Sequence, residues 1–111
     1  MIADEAQRAR LADAAQRAER RLQPLQAKLP VQAIHMDITD DNVVWKRDQQ
    51  RHWQLQGVID FGDLIRTWRI TDLSVTCAAL LHHAEGDPLR ILPAIQAYHQ
   101  VNPLQRAELL A

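Results

Sequence analysis

The sequence predicts an α+β fold, mainly helical, with one small β-hairpin. Three observations lead there. Helix-forming residues fill the stretch 2–29, and a strongly apolar run follows from Asp72 to His83. Between them lie two β-branched and aromatic runs, Val43-Val44-Trp45 and Trp53 to Ile59, joined by the polar turn Asp48-Gln49-Gln50-Arg51. No internal repeat or low-complexity linker interrupts the 111 residues, so a single domain over 1–111 is expected.

Residues 1–30 form the leading helical segment. Ala15, Ala18, Leu22, Leu25 and Leu29 recur at three- and four-residue steps and share one face. Pro24 costs a helical hydrogen bond, so a break near Gln23 is expected, and Pro30 ends the segment. The charged face reads as solvated rather than as a partner surface. Residues 31–63 hold a short apolar approach (Val31 to Ile34), a loop and the hairpin. Residues 69–111 are the helical part. The run Asp72–His83 is long enough for a buried helix. Gly86-Asp87-Pro88 then stops one helix and starts another, with Asp87 as N-cap and Pro88 in the first helical position. That helix runs from about Leu89 to Gln100, Asn102-Pro103 ends it, and a short final helix follows.

Bulk properties exclude several classes. A net charge of −1 offers no basic footprint for nucleic acid or an acidic membrane. The one cysteine, Cys77, cannot form an internal disulfide, and its apolar surroundings mark a buried thiol in a reducing compartment. The first ten residues, MIADEAQRAR, lack the apolar stretch of a signal peptide, and no segment is long enough to span a bilayer. A cytoplasmic protein is expected.

The chemistry concentrates in His35-Met36-Asp37-Ile38-Thr39-Asp40-Asp41-Asn42, which reads H-x-D-x-x-x-x-N, and in Ile59-Asp60-Phe61-Gly62-Asp63, whose Asp60 stands eighteen positions after the Asn. The hairpin between them returns Asp60 to the end where Asn42 stands. An Asp that accepts a hydroxyl proton, an Asn that holds a metal, and a D-F-G Asp at a strand end make up half of a phosphoryl-transfer site. Asp37 is the candidate base. Asn42 offers a neutral oxygen and Asp60 an anionic one, which suits Mg²⁺. His35 is expected to pack beneath the loop and hydrogen-bond backbone, holding Asp37 in place. Asp72 reads as the N-cap of its helix, as a brace for the loop, or as both. Asp40 and Asp41 read as solvated turn acids. Asp37, Asp40, Asp41, Asp60 and Asp63 would crowd one edge if the hairpin closes this way. His82 and His83 diverge by about 100° on a helix and make a poor chelate, so with His52 and His99 they read as surface or rim residues. Trp45, Trp53 and Trp68 read as core or rim aromatics.

HMDITDDN, GVIDFGD and ITDLSVTCAALL together resemble the C-terminal lobe of the aminoglycoside phosphotransferase and choline kinase superfamily, which has a protein-kinase-like fold. The match covers about Val31 to Leu81. The wording is most similar to the hydroxylysine-kinase-like branch, whose domains occur fused to class III aminotransferases. By this resemblance Asp37 is the catalytic base, Asn42 and Asp60 are Mg²⁺ and nucleotide-site ligands, and Asp72 braces the loop. ATP is the implied co-substrate and Mg²⁺ the cofactor. The implied acceptor is a hydroxyl on an amino-containing, aminoglycoside-like small molecule. Met36 replaces the family's usual Gly and implies a stiffer loop.

A complete kinase fold also has an N-terminal lobe with a phosphate-covering turn and a strand lysine. Only 34 residues precede His35, the lysines are Lys28 and Lys46, and Gly57, Gly62 and Gly86 form no glycine-rich loop. The expectation is therefore a piece of a larger phosphotransferase, inactive alone, whose partners are the missing lobe and an aminotransferase domain. It would self-associate through the face the missing lobe covers. Two other readings stay open: a non-catalytic kinase-like docking module, and a metal-dependent phosphohydrolase that uses the same acids on water.

Overall fold

The computed structural model describes residues 4–111, so the predicted helix start at residue 2 lies outside the described residues. The fold is mixed α+β, with helices α1 to α4 and two separate two-stranded sheets. The chain forms two compact units. One contains the residues up to Leu29 together with Leu104–Ala111; the other is Pro30–Pro103.

In the first unit, α1 spans Glu5–Leu22. The Asp4 side chain accepts from the Ala6 N–H, Glu5 sits in the first turn, and Arg20 and Arg21 sit in the last. Each complements the helix dipole. Arg17 pairs with Asp13 one turn back. The helix stops at Leu22, two residues before Pro24, and a 3₁₀ turn follows at Gln26–Lys28. No residue of α1 is buried. The final helix, α4 (Arg106–Leu110), opens with a capping box in which Glu108 Oε2 accepts the Gln105 N–H at 2.8 Å.

The second unit contains all the residues with candidate chemistry. Strands β2 (Val43–Arg47) and β3 (Trp53–Val58) pair antiparallel as predicted, with Val43 opposite Val58 and Arg47 opposite Trp53. The register shifts between Val44 and Trp45. At the turn, Asp48 Oδ1 accepts the N–H groups of Gln50 and His52. The second sheet corrects the sequence reading. Val31–Ile34 is a strand, β1, rather than an apolar approach, and it pairs antiparallel with a further strand, β4 (Ile65–Trp68). Arg69 N–H to Pro30 O, at 2.9 Å, extends that ladder. This pairing places the stem of the H-x-D loop beside the segment that leads into α2.

Helix α2 spans Ile70–His83. It buries Leu73 and Cys77, but Leu80 stays exposed, so α2 is half-covered rather than fully buried. Burial pushes the Cys77 thiol pKa up, as expected for a core cysteine. A 3₁₀ turn at Pro88–Ile91 precedes α3 (Leu92–Val101), and the Asp87 side chain caps the turn through the Leu89 N–H. Arg69 ties the start of α2 to the end of α3, donating to Asn102 Oδ1 and to the Pro103 carbonyl. Trp45 and Trp53 are 52% and 61% exposed, so they are surface rather than core aromatics. No helix among the described residues is long and apolar enough to cross a membrane.

Candidate active site

The site lies where the hairpin closes. Ile59 N–H donates to the Asn42 carbonyl at 2.9 Å, one step beyond the Val43–Val58 pair. That ladder bond joins the end of the first motif to the start of the second. Asp37, Asn42 and Asp60 then line one cavity of about 370 Å³, with Asp40, Asp41 and the helix residues His82 and His83 at its wall. Asp63, which the sequence reading grouped with these acids, does not line it.

His35 is buried at 5% exposure and bonds in two directions. Its Nδ1 accepts the Asp37 N–H at 3.3 Å, so the proton resides on Nε2, which donates to the Ile59 carbonyl at 2.8 Å. One imidazole thereby links the H-x-D loop to the residue before Asp60. Phe61 packs edge-on against the same ring, with centroids 4.8 Å apart.

Asp72 braces the loop. Its Oδ2 accepts the His35 N–H at 3.1 Å and its Oδ1 accepts the Met36 N–H at 2.7 Å. It is not the N-cap of α2. That position belongs to Arg69, and Asp72 stands in the first turn. Thr76, one turn further on, donates to the Ile38 carbonyl at 2.8 Å. The sequence reading missed Thr76, although its i+4 spacing from Asp72 puts both on one helix face. Met36 has φ of 75°, the left-handed region that suits glycine. A methionine there is strained, and the Asp72 bond holds the strained peptide in place.

The Asn42 amide nitrogen donates to both the Asp37 carbonyl and Asp37 Oδ2, each at 2.9 Å. A backbone carbonyl can only accept, so the amide orientation is fixed. Asn42 Oδ1 carries no hydrogen bond, and no side-chain polar atom among the described residues is both buried and unpaired, so Oδ1 is open to solvent. Asp37 keeps Oδ1 free in the same way. Asp60 sits at φ 59°, and its Oδ1 accepts the Gly62 N–H at 3.2 Å. A Cβ at Gly62 would lie 3.2 Å from that oxygen, so glycine leaves the carboxylate room.

Among the described residues no group of three or more His, Cys, Asp or Glu side chains is arranged to hold a metal ion. An amide oxygen and a carboxylate on one cavity wall still fit Mg²⁺, which takes one or two protein oxygens and draws the rest from water and phosphate. They do not fit zinc, and His82 and His83 stand at the rim, with His83 Nε2 3.2 Å from Asp40 Oδ2.

The family model described as "Phosphotransferase enzyme family" (APH) matches residues 2–109. The chain belongs to the phosphotransferase enzyme family. No solved structure matches it. The match spans both compact units, so the phosphotransferase pattern includes α1 and α4 as well as the H-x-D loop and the hairpin.

Proposed function

We propose that this phosphotransferase domain forms the lower, C-terminal side of an ATP- and Mg²⁺-dependent kinase that acts on a small-molecule hydroxyl. The observation that carries the reading is the Asn42 amide. By donating twice to Asp37 it orients the base and leaves its own oxygen free on the cavity that Asp60 also lines. In this reading Asp37 Oδ1 takes the proton of the acceptor hydroxyl as that oxygen bonds to the transferred phosphoryl group. The bond from phosphorus to the nucleoside diphosphate breaks in the same step. Asn42 and Asp60 would hold Mg²⁺, which when bound neutralises phosphate charge. His35 and Asp72 are positioning residues that act through the loop backbone. The acidic wall formed by Asp40, Asp41 and Asp60 favours an acceptor that also bears an amine.

We propose further that this chain alone does not turn over. Phosphoryl transfer depends on a two-sided clamp, and these residues supply one side. The test is NMR of the chain with Mn²⁺ as a paramagnetic stand-in for Mg²⁺. Amide signals around Asn42 and Asp60 should broaden selectively, and the effect should vanish in Asn42→Ala and Asp60→Ala. Broadening spread evenly over the surface acids would overturn the reading.

A further inference from the structure

A second cavity adjoins the catalytic one. It measures about 250 Å³, and Ile38, Val43, Trp45 and Leu80 give it apolar walls. Thr39, Asp40, Ala79 and His83 line both cavities, so these four residues form the partition. Asp37, the candidate base, lines the polar cavity, and its chain neighbour Ile38 lines the apolar one. The two sites are therefore about one residue apart, roughly 4 Å along the chain.

Several polar atoms at the apolar cavity are already engaged. Thr76 Oγ1 contacts the carbonyls of Ile38 and Asp72, and Asp40 Oδ2 faces His83 Nε2 at 3.2 Å. A hydroxyl-rich sugar ring placed there would lose its water and gain few hydrogen bonds. An alkyl or aryl group would lose nothing. An apolar cavity of about 150 Å³ accepts a benzene ring, so this one, at about 250 Å³, has room for an alkyl or aryl group of at least that size.

We infer that the acceptor is amphipathic: an amino alcohol whose hydroxyl faces Asp37 and whose apolar tail lies against Trp45 and Leu80. This deepens the kinase reading and rests on it. The polar cavity supplies the carboxylates that recognise the ammonium group, and the adjoining cavity selects for the tail. A polycationic sugar would fill only the first of the two.

The test is NMR titration of this chain with 2-aminoethanol, 2-amino-1-butanol, 2-amino-1-hexanol and 2-amino-1-octanol, following the Trp45 indole N–H and the Leu80 methyls. Each buried methylene should tighten binding roughly fourfold across the series. Leu80→Asp should remove the dependence of affinity on chain length. Leu80 is exposed, so this variant should fold, and circular dichroism checks that it does. Trp53→Ala is the control, because Trp45 also shares a separate slot of about 360 Å³ with Trp53. Affinity flat with chain length in the wild type would overturn the inference. So would a gain that survives Leu80→Asp and disappears in Trp53→Ala. The titration needs no nucleotide and no turnover, so it can fail while the Mn²⁺ experiment succeeds, or the reverse.

Discussion

Replacing Asp72 with Ala should loosen the H-x-D loop more than any other single change on α2. The carboxylate makes two bonds to backbone N–H groups, 3.1 Å to His35 and 2.7 Å to Met36. Bonds to a charged acceptor contribute about 1.5–3 kcal/mol each. Both donors are at least half-buried, so water replaces the lost partner only in part. The Met36 peptide also stores about 1–2 kcal/mol of left-handed strain, which relaxes once its anchor is gone and returns some of the loss. The expected net cost is about 2–4 kcal/mol, a large share of the roughly 5–15 kcal/mol that holds a small domain together. Asp72→Asn should fall between wild type and Ala, because it keeps one acceptor oxygen and turns an NH₂ toward the other N–H. Urea unfolding gives the stability, and hydrogen exchange read at the His35 and Met36 amides gives the local effect. A loss under about 1 kcal/mol, with unchanged exchange at those two amides, would show that Asp72 does not hold the loop.

Four further outcomes are expected. In a form of the enzyme that turns over, Asp37→Ala should lower kcat by about 10²–10⁴-fold with nucleotide affinity nearly unchanged, since a base acts on the hydroxyl and need not touch ATP; wild-type turnover would refute the assignment. Gly62→Ala should weaken Mn²⁺ binding without unfolding the chain, because the new Cβ would meet Asp60 Oδ1 at 3.2 Å, and an unchanged titration would place the metal elsewhere. Met36→Gly should relieve backbone strain worth about 1–2 kcal/mol at the cost of a half-buried side chain, so the urea midpoint should move little while the loop amides exchange faster. Burial raises the Cys77 thiol above its usual 9.0, so the folded state holds that proton more tightly than the unfolded state does. Its contribution is therefore complete below about pH 9 and is lost as pH rises further. Stability measured at pH 8 and pH 10 should fall more in wild type than in Cys77→Ala, and equal falls would contradict the burial argument.

Local chemistry is readable along the chain. His35, Asp37, Asn42 and Asp60 were legible as one constellation because their spacing is fixed along the chain and the intervening hairpin is written in β-branched residues around a polar turn. The helix breaks at Pro24 and Asp87-Pro88 were legible for the same reason: a missing N–H and a capping side chain act within a few residues of themselves. What needed the tertiary structure depends on pairing distant segments. β1 and β4 are four residues each and carry little periodicity, so neither is convincing until the other stands beside it. That pairing sets Asp72 and Thr76 against the loop, thirty-six to thirty-eight residues away in sequence. The strain at Met36 is equally invisible in a residue string, because methionine has no preference for the left-handed region and adopts it only where surrounding bonds compel it. The division between a polar and an apolar cavity is tertiary too. Asp40, Ala79 and His83 share that wall because α2 folds back across the loop, and adjacency of that kind is set by packing rather than by spacing along the chain.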